Sequence, residues 1–107
     1  METLGIIEKI KIEDKEFKAK VDTGADSSSI DLVAASKLNL GPITGFKEIF
    51  SANGKSLRPT IRAKLNVRGK TIRTTFTVMP RSKLKYKVLL GRKTLKRLGF
   101  LIDPAKK

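Results

Sequence analysis

Residues 19–30 read AKVDTGADSSSI. An apolar-ending run stops at Val21, and Asp22-Thr23-Gly24 then places one carboxylate in a tight turn. Glycine permits close backbone approach there, and the hydroxyls supply hydrogen bonds. Two such carboxylates about 3 Å apart cannot both ionise, so they share one proton, and one acts as base on a bridging water while the other acts as acid. Asp-Thr-Gly also forms ordinary turns, so this stretch alone leaves catalysis and a simple turn as alternatives.

A second informative segment, VLLGRKTLKRLGF, occupies residues 88–100. Its apolar start, Val88–Leu90, predicts a short buried strand that ends at Gly91. Residues Lys93–Leu98 predict a short helix, closed by Gly99 in the position where a left-handed residue commonly ends a helix.

The rest of the chain consists of short apolar runs separated by turn signals, a pattern typical of β structure. Asn-Gly in Ala52-Asn53-Gly54 predicts a hairpin, and Pro59 favours an edge strand or a strand start. A helix is expected over Asp31–Leu38 with Asp31 as its N-cap. The fold class is therefore all-β with one or two short helices. The other predicted strands are Ile6–Ile12, Glu16–Val21, Phe46–Ser51, Lys55–Leu57, Thr60–Val67, Thr71–Met79 and Phe100–Ile102.

Composition limits the chemistry. The 107 residues include no cysteine and no histidine, which removes the usual zinc ligands and every Ser/His or Cys/His nucleophile pair. No metal and no cofactor are expected. No stretch approaches the roughly 20 apolar residues of a membrane span, and the first residues lack the layout of a signal peptide. We predict one domain, residues 1–107, in the cytoplasm and without a membrane partner.

The charge is strongly positive and uneven. The net charge is +14, and no Asp or Glu occurs between Glu48 and Asp103. Such a field concentrates anionic partners, either acidic polypeptides or nucleic acid. The alternative is a lysine-rich surface that only keeps the protein soluble. Aromatic residues make up 6% of the chain and form no cluster for base stacking, which makes nucleic acid the less favoured partner.

The two segments together resemble the retropepsin pattern, in which an apolar-Asp-Thr-Gly-Ala loop is matched by a late apolar-apolar-Gly-Arg turn that leads into a helix. The resemblance covers nearly the whole chain and implies a retropepsin-like closed β-barrel, the acid-protease fold. Within that superfamily the chain is most similar to the ATP-dependent zinc protease family associated with RimK-type glutamate ligases. That family also carries AKVDTGA, an S-x-x-G-x-x-x-R-P hairpin and a closing L-L-G-R … D-P, matched here by Ser51, Gly54, Arg58, Pro59, Leu89–Arg92 and Asp103-Pro104.

The resemblance implies a role for each residue of the first segment. Asp22 is the catalytic carboxylate. Thr23 braces the pair of carboxylates by hydrogen bonding to the partner's loop, Gly24 lines the substrate channel, and Ala25 contacts substrate.

The resemblance also implies roles for residues outside the Asp-Thr-Gly turn. Asp26 contacts substrate and forms a buried ion pair with Arg92 that fixes the loop against the helix; the alternative is an ordinary surface pair. Asn53-Gly54 is the tip of a flap that closes over a bound peptide.

The sequence lacks the residues that the name of the zinc protease family implies. It has no phosphate-binding Gly-Lys motif for ATP and no His or Cys to bind zinc. Its flap is also short and basic.

Two functions follow as alternatives. The first is an aspartic-type peptidase. One Asp-Thr-Gly per chain demands a homodimer, whose interface sheet is formed by Leu4–Ile7 and Phe100–Ile102 unless these are core strands of a monomer. Its substrates are peptides or proteins, with acidic ones favoured by the charge. The second is a non-catalytic barrel that binds acidic protein tails or RNA.

Overall fold

A computed structural model of the chain describes residues 3–106, and for Ser51 the backbone alone. Nine strands and two short helices occur in the described part. In chain order they are β1 (Thr3–Leu4), β2 (Ile7–Ile12), β3 (Lys15–Val21), β4 (Ser28–Asp31), α1 (Leu32–Lys37), β5 (Gly45–Ser51), β6 (Gly54–Val67), β7 (Lys70–Met79), β8 (Val88–Leu90), α2 (Arg92–Leu98) and β9 (Leu101–Ile102).

Six of the strands close into a barrel. The hydrogen-bonded order is β2-β3-β8-β4-β7-β6, and β6 returns to β2 through the pairs Lys11↔Asn66 and Ile12↔Leu65. Strand β5 extends beyond the barrel, paired with β6 alone. Closure leaves the barrel strands without a free edge except where β6 projects outward with β5. The predicted closed β-barrel is confirmed.

Alternating side chains fill the barrel. In β6, Ile61, Ala63, Leu65 and Val67 are buried, and Arg62 between them is exposed. Because side chains of a strand point to opposite faces in turn, this alternation places the apolar face inward. The same pattern of burial runs through β2 and β3, so strands that the sequence predicted supply part of the core.

Strand β4 was not predicted, and its polar sequence explains why. It reads Ser-Ser-Ile-Asp, yet all four residues are buried. It lies between β8, antiparallel, and β7, parallel. Serine and aspartate favour turns when read alone, and here hydrogen bonds from other elements satisfy their side chains.

The loop that contains Asp22 crosses the end of another strand. Strands β3 and β8 run parallel and both end at this loop, and β4 starts on the other side of β8. Residues 22–27 therefore pass from β3 over the end of β8 to β4. This crossing positions the candidate site.

The helices agree with the predictions. Asp31 is the N-cap of α1 and accepts a hydrogen bond from the backbone N–H of Ala34. Gly99 follows α2 with φ 75°, a left-handed conformation that glycine adopts without steric cost. The pairing of β6 with β7 begins at Thr60, one residue after Pro59. Pro59 therefore has a neighbouring strand only on the β5 side, and its lack of an N–H costs no hydrogen bond to β7.

The terminal strands pair with each other within one chain. Thr3 lies beside Leu101 and Leu4 beside Ile102 in a parallel two-stranded sheet, and Leu4 is fully buried. The sequence had suggested these segments for a sheet between two chains. Burial of Leu4 shows that at least β1 is also a core strand of the single chain.

No helix within residues 3–106 has the length and apolar character needed to cross a membrane. The single-domain prediction, residues 1–107, includes Met1, Glu2 and Lys107, which lie outside the described residues, and it stays a prediction.

Candidate active site

Asp22 is held at the end of β3 by its main chain. Its backbone N–H donates to the carbonyl of Leu90 at 3.0 Å, and its carbonyl accepts from the N–H of Ala25 at 3.2 Å. Its side-chain Oδ1 accepts from the N–H of Gly24 at 3.0 Å. The side chain is half-buried, whereas Thr23 and Gly24 are exposed. A rigid turn therefore presents one carboxylate at the surface.

The segment after β8 passes directly beneath this loop. A Cβ on Gly91 would lie 2.4 Å from the carbonyl oxygen of Ser27, closer than any side chain tolerates. The N–H of Arg92 donates to the carbonyl of Ala25 at 2.6 Å, and the N–H of Lys93 donates to that of Asp26 at 3.1 Å. The first N–H groups of a helix have no partner inside it, and here the loop carbonyls satisfy two of them.

A buried cluster of hydroxyls supports the loop from below. Ser28 Oγ lies 2.7 Å from Thr94 Oγ1, and Thr94 Oγ1 lies 3.0 Å from Thr74 Oγ1. Ser28 Oγ also accepts from the N–H of Gly91 at 3.0 Å. All three hydroxyl side chains are buried. The cluster ties β4, β7 and α2 together directly behind the turn.

Asp26 and Arg92 form the predicted ion pair, but the pair is not buried. Arg92 Nη2 donates to Asp26 Oδ1, and the two side chains remain 64% and 60% exposed. The expectation of a buried pair is wrong for the single chain, because the loop and α2 meet at the surface of the barrel. The backbone hydrogen bonds above, rather than this pair, fix the loop.

The predicted flap is the hairpin of β5 and the start of β6, residues 45–60, called the flap hairpin below. Its two-residue turn is Ala52-Asn53, because Ser51 pairs with Gly54. The turn is thus one residue earlier than the Asn-Gly signal predicted, and Gly54 follows it with φ 110°. The side chain of Ser51, part of the predicted hairpin motif, lies outside the described residues.

A cleft of about 570 Å³ separates the loop from the flap hairpin. Ala25 and Asp26 line it as predicted, while Asp22, Asn53 and Gly54 do not. The strand β5 forms the opposite wall instead. The full lining is Ala25, Asp26, Ser27, Ser28, Ser29, Lys47, Glu48, Ile49, Phe50, Thr77, Met79, Arg81 and Leu89. A cleft of this size accommodates a few side chains of an extended peptide.

Arg81 is a buried cation in the wall of this cleft. Its Nε donates to the carbonyl of Tyr86 at 3.1 Å and its Nη1 to Ser29 Oγ at 3.3 Å. Burial lowers the pKa of Arg81, and the nearby Asp31 carboxylate opposes that effect. The guanidinium is therefore held in place by neutral acceptors.

No group of three or more Asp and Glu side chains in residues 3–106 converges as a possible metal site. Asp22 and Asp26 lie in the loop, and Glu48 lines the cleft with Asp26. Asp26 is paired with Arg92, and Glu48 lies 3.7 Å from Lys55.

Sequence reasoning missed several residues of the cleft. Lys47, Arg81 and Leu89 come from three different strands or loops, and no motif connects them. For Lys47 a sequence signal existed. It lies between Phe46 and Glu48 in a predicted hairpin strand, so its side chain is expected on the opposite face from theirs. For Arg81 there was none, because its burial depends on β4.

Most of the chain matches a known protein family. Residues 9–97 match the family described as "gag-polyprotein putative aspartyl protease". This range includes the Asp22 loop, the flap hairpin and most of α2. No curated protein sequence matches the chain.

Solved structures share the fold. A Legionella pneumophila protein of unknown function superposes with a TM-score of 0.74 at 21% identity, covering 97% of this chain and 94% of that one. EIAV protease, solved with the inhibitor HBY-793, superposes with a TM-score of 0.72 at 24% identity, covering 88% of each chain. At these identities the likeness concerns the fold.

The family match, the closed barrel and the Asp-Thr-Gly turn at the end of β3 lead to one conclusion. The chain belongs to the gag-polyprotein aspartyl protease family and has the retropepsin-like fold.

Proposed function

We propose that the protein is an aspartic-type endopeptidase that works as a homodimer, in which Asp22 of each chain activates water for peptide-bond hydrolysis. The observation that carries this proposal is the setting of Asp22. Its backbone is locked to Leu90, its carboxylate accepts from Gly24, and it stands in the surface loop whose Ala25 and Asp26 line a cleft of peptide size.

The chemistry requires two carboxylates. When they lie together they share one proton. The ionised carboxylate removes a proton from the bridging water, whose oxygen attacks the peptide carbonyl carbon. The other donates its proton to the carbonyl oxygen, and the intermediate then collapses with proton transfer to the leaving amine. One chain supplies one Asp-Thr-Gly turn, so a second copy must supply the other.

The exposed flank of the turn supports the dimer. Thr23 and Gly24 are exposed next to the half-buried Asp22, so a second copy related by a two-fold axis can approach there. In this proposal Thr23 braces the opposite loop and Gly24 lines the joint channel. Leu101 in β9 is 58% exposed, and β1 and β9 form a two-stranded sheet in the described residues, to which strands of a partner can add.

The flap hairpin supports a peptide substrate. It extends beyond the barrel on β5, and Phe50 near its end is 74% exposed. In the proposal Asn53 and Gly54 close over a bound peptide, and Ala25 and Asp26 contact it. Membership of the RimK-associated family and location in the cytoplasm stay predictions from the sequence.

The test is cleavage of a peptide library by the purified protein and by Asp22→Asn. We expect cleavage by the wild type and none by the variant, because an amide can neither take a proton from water nor share one. Asp14→Asn is the matched control. It makes the same chemical change at an exposed turn position with φ 69°, which asparagine tolerates.

Mixtures of the two proteins test the dimer. If each site needs Asp22 from both chains, activity falls with the square of the wild-type fraction, whereas independent sites give a linear fall. Absence of cleavage by the wild type at any pH would favour the non-catalytic binding module.

A further inference from the structure

We propose that the cleft selects peptides that carry an anionic side chain, a carboxylate or a phosphate, held at Lys47. This inference rests on the proposed peptidase function and adds the residue that chooses the substrate. Long-range attraction by the net charge of +14 has no preference for position, whereas a cation at one place in the cleft fixes where the anion must lie.

Lys47 stands where two cavities meet. It lines the cleft beside the loop, and it also lines a second cavity of about 340 Å³. Its Nζ donates to Ser27 Oγ, which borders both cavities. The remaining lining of the second cavity is Ser28, Thr60, Thr74, Thr75, Thr77, Lys93, Thr94 and Arg97. Hydroxyls and cations line this cavity, and no carboxylate does.

The positive charge at Lys47 has no carboxylate partner within residues 3–106. The cleft carboxylates Asp26 and Glu48 are paired with Arg92 and Lys55. Arg81, the other cation of the cleft, donates through its side chain to a carbonyl and a hydroxyl. Within the described residues, Lys47 is therefore a cleft cation without a compensating carboxylate, whereas Arg81 lies near Asp31 and the cleft acids pair with other cations.

The flap hairpin carries a further cation, Arg58, next to Lys47, although Arg58 lines neither cavity. Arg58 lies directly opposite Lys47 in the β5–β6 pairing, so both side chains share one face. Like charges placed opposite each other destabilise a hairpin. Arg58 Nε is also buried without a hydrogen-bond partner, which costs free energy. An anion held at Lys47 would offset the repulsion between these two charges.

A peptide fits these cavities better than a nucleic acid does. Phe50 is the single aromatic side chain that lines either cavity in the described part of the chain. Single-stranded nucleic acids bind by stacking bases on several aromatic rings. Hydroxyls beside a lysine instead suit a carboxylate or phosphate on a side chain.

The experiment uses neutral-scaffold peptides with one glutamate moved along the sequence, so every peptide has the same net charge. The cut sites are mapped by mass spectrometry at about 0.5 M salt, where long-range attraction is largely screened. We expect cleavage at a fixed spacing from the glutamate. Cut sites that ignore the glutamate would overturn the proposal. A phosphoserine series distinguishes phosphate from carboxylate by the efficiency of cleavage.

Binding tests the subsite even if no cleavage occurs. Fluorescent glutamate and glutamine peptides are titrated into Asp22→Asn, which retains the cleft. We expect the glutamate peptide to bind roughly tenfold more tightly, as for a charge-assisted contact, and Lys47→Gln to abolish that preference. Lys18→Gln is the matched control, because Lys18 is exposed on β3 and lines neither cavity. If Lys47→Gln and Lys18→Gln lost the preference for the glutamate peptide equally, that preference would come from net charge and not from a site at Lys47.

Charge reversal completes the test. Lys47→Glu is expected to prefer a lysine peptide over a glutamate peptide. An unchanged preference would remove Lys47 from substrate selection. A short oligouridine that outcompetes every peptide through Lys47 would mark a nucleic-acid site and overturn the peptide proposal. Position-dependent binding without cleavage would instead retain the subsite and reject the peptidase.

Discussion

Asp31 is a buried carboxylate that connects α1 to the wall of the cleft. Its Oδ1 accepts from the backbone N–H of Arg81 at 2.7 Å, and its Oδ2 accepts from that of Ala34 at 3.2 Å. Burial raises the pKa of Asp31, but these N–H groups and the charge of Lys87 lower it by more, so the pKa lies below 3.8. The ionised form is therefore part of the folded state.

Asp31→Asn is expected to reduce the free energy of unfolding by about 2 kcal/mol near neutral pH, because the amide has one acceptor oxygen where the carboxylate has two. A folded-state pKa below the unfolded value stabilises the protein above the unfolded pKa. That stabilisation disappears as pH falls through the folded pKa. The difference between wild type and variant should thus shrink below pH 3.8.

Urea denaturation at a series of pH values measures this difference. Asp14→Asn, at an exposed turn, is the control and should change little. A difference that stays constant down to the lowest pH would show that the charge of Asp31 contributes nothing.

At the scale of elements, the crossing of the 22–27 loop over the end of β8 determines the candidate site. The crossing is close because Gly91 has no side chain, and the first N–H groups of α2 donate to the loop carbonyls. Strand β8, loop and helix therefore depend on one another. A change at the crossing is expected to move the Asp22 turn.

Gly91→Ala tests this dependence. Its Cβ would lie 2.4 Å from the Ser27 carbonyl oxygen and 2.5 Å from the carbonyl carbon, and neither backbone atom can turn away. We expect a loss of about 2 kcal/mol or more in unfolding free energy and, if the protein cleaves peptides, loss of activity. Denaturant unfolding measures the first.

Gly45→Ala is the matched control, since its Cβ would meet Thr60 Oγ1 at 3.4 Å, an ordinary contact. Its effect should stay below about 1 kcal/mol. Equal stability of the two variants would show that the crossing relaxes easily.

At the scale of the whole molecule, net charge and the proposed dimer oppose each other. Each chain carries +14, so two chains repel at long range. Salt screens such repulsion, with a Debye length of about 10 Å at 0.1 M. The same salt weakens the attraction of acidic substrates. Assembly and substrate encounter should therefore respond to salt in opposite directions.

We expect the dimer to tighten as salt rises from about 0.02 M to about 0.3 M, measured by sedimentation equilibrium. Lys18→Glu lowers the net charge by two and should give a shallower dependence on salt. A dimer that weakens with salt would indicate that opposite charges across the interface outweigh the net repulsion.

The sequence by itself determined the strands whose apolar and polar residues alternate, as at Ile61–Val67, because period-two alternation follows directly from strand geometry. It also determined the helix caps at Asp31 and Gly99 and the Asp22 turn, since these depend on a few neighbouring residues. The retropepsin-like superfamily followed from two short motifs in the right order.

Only the tertiary structure decided the rest. Strand β4 is buried although it is polar, because Thr94, Gly91 and Arg81 bond to its side chains from distant parts of the chain. The Asp26–Arg92 pair is exposed because the loop meets α2 at the barrel surface. Lys47 faces the loop only because β5 extends beside it. Contacts between residues far apart in sequence have no local signal, so the pairing of strands had to supply them.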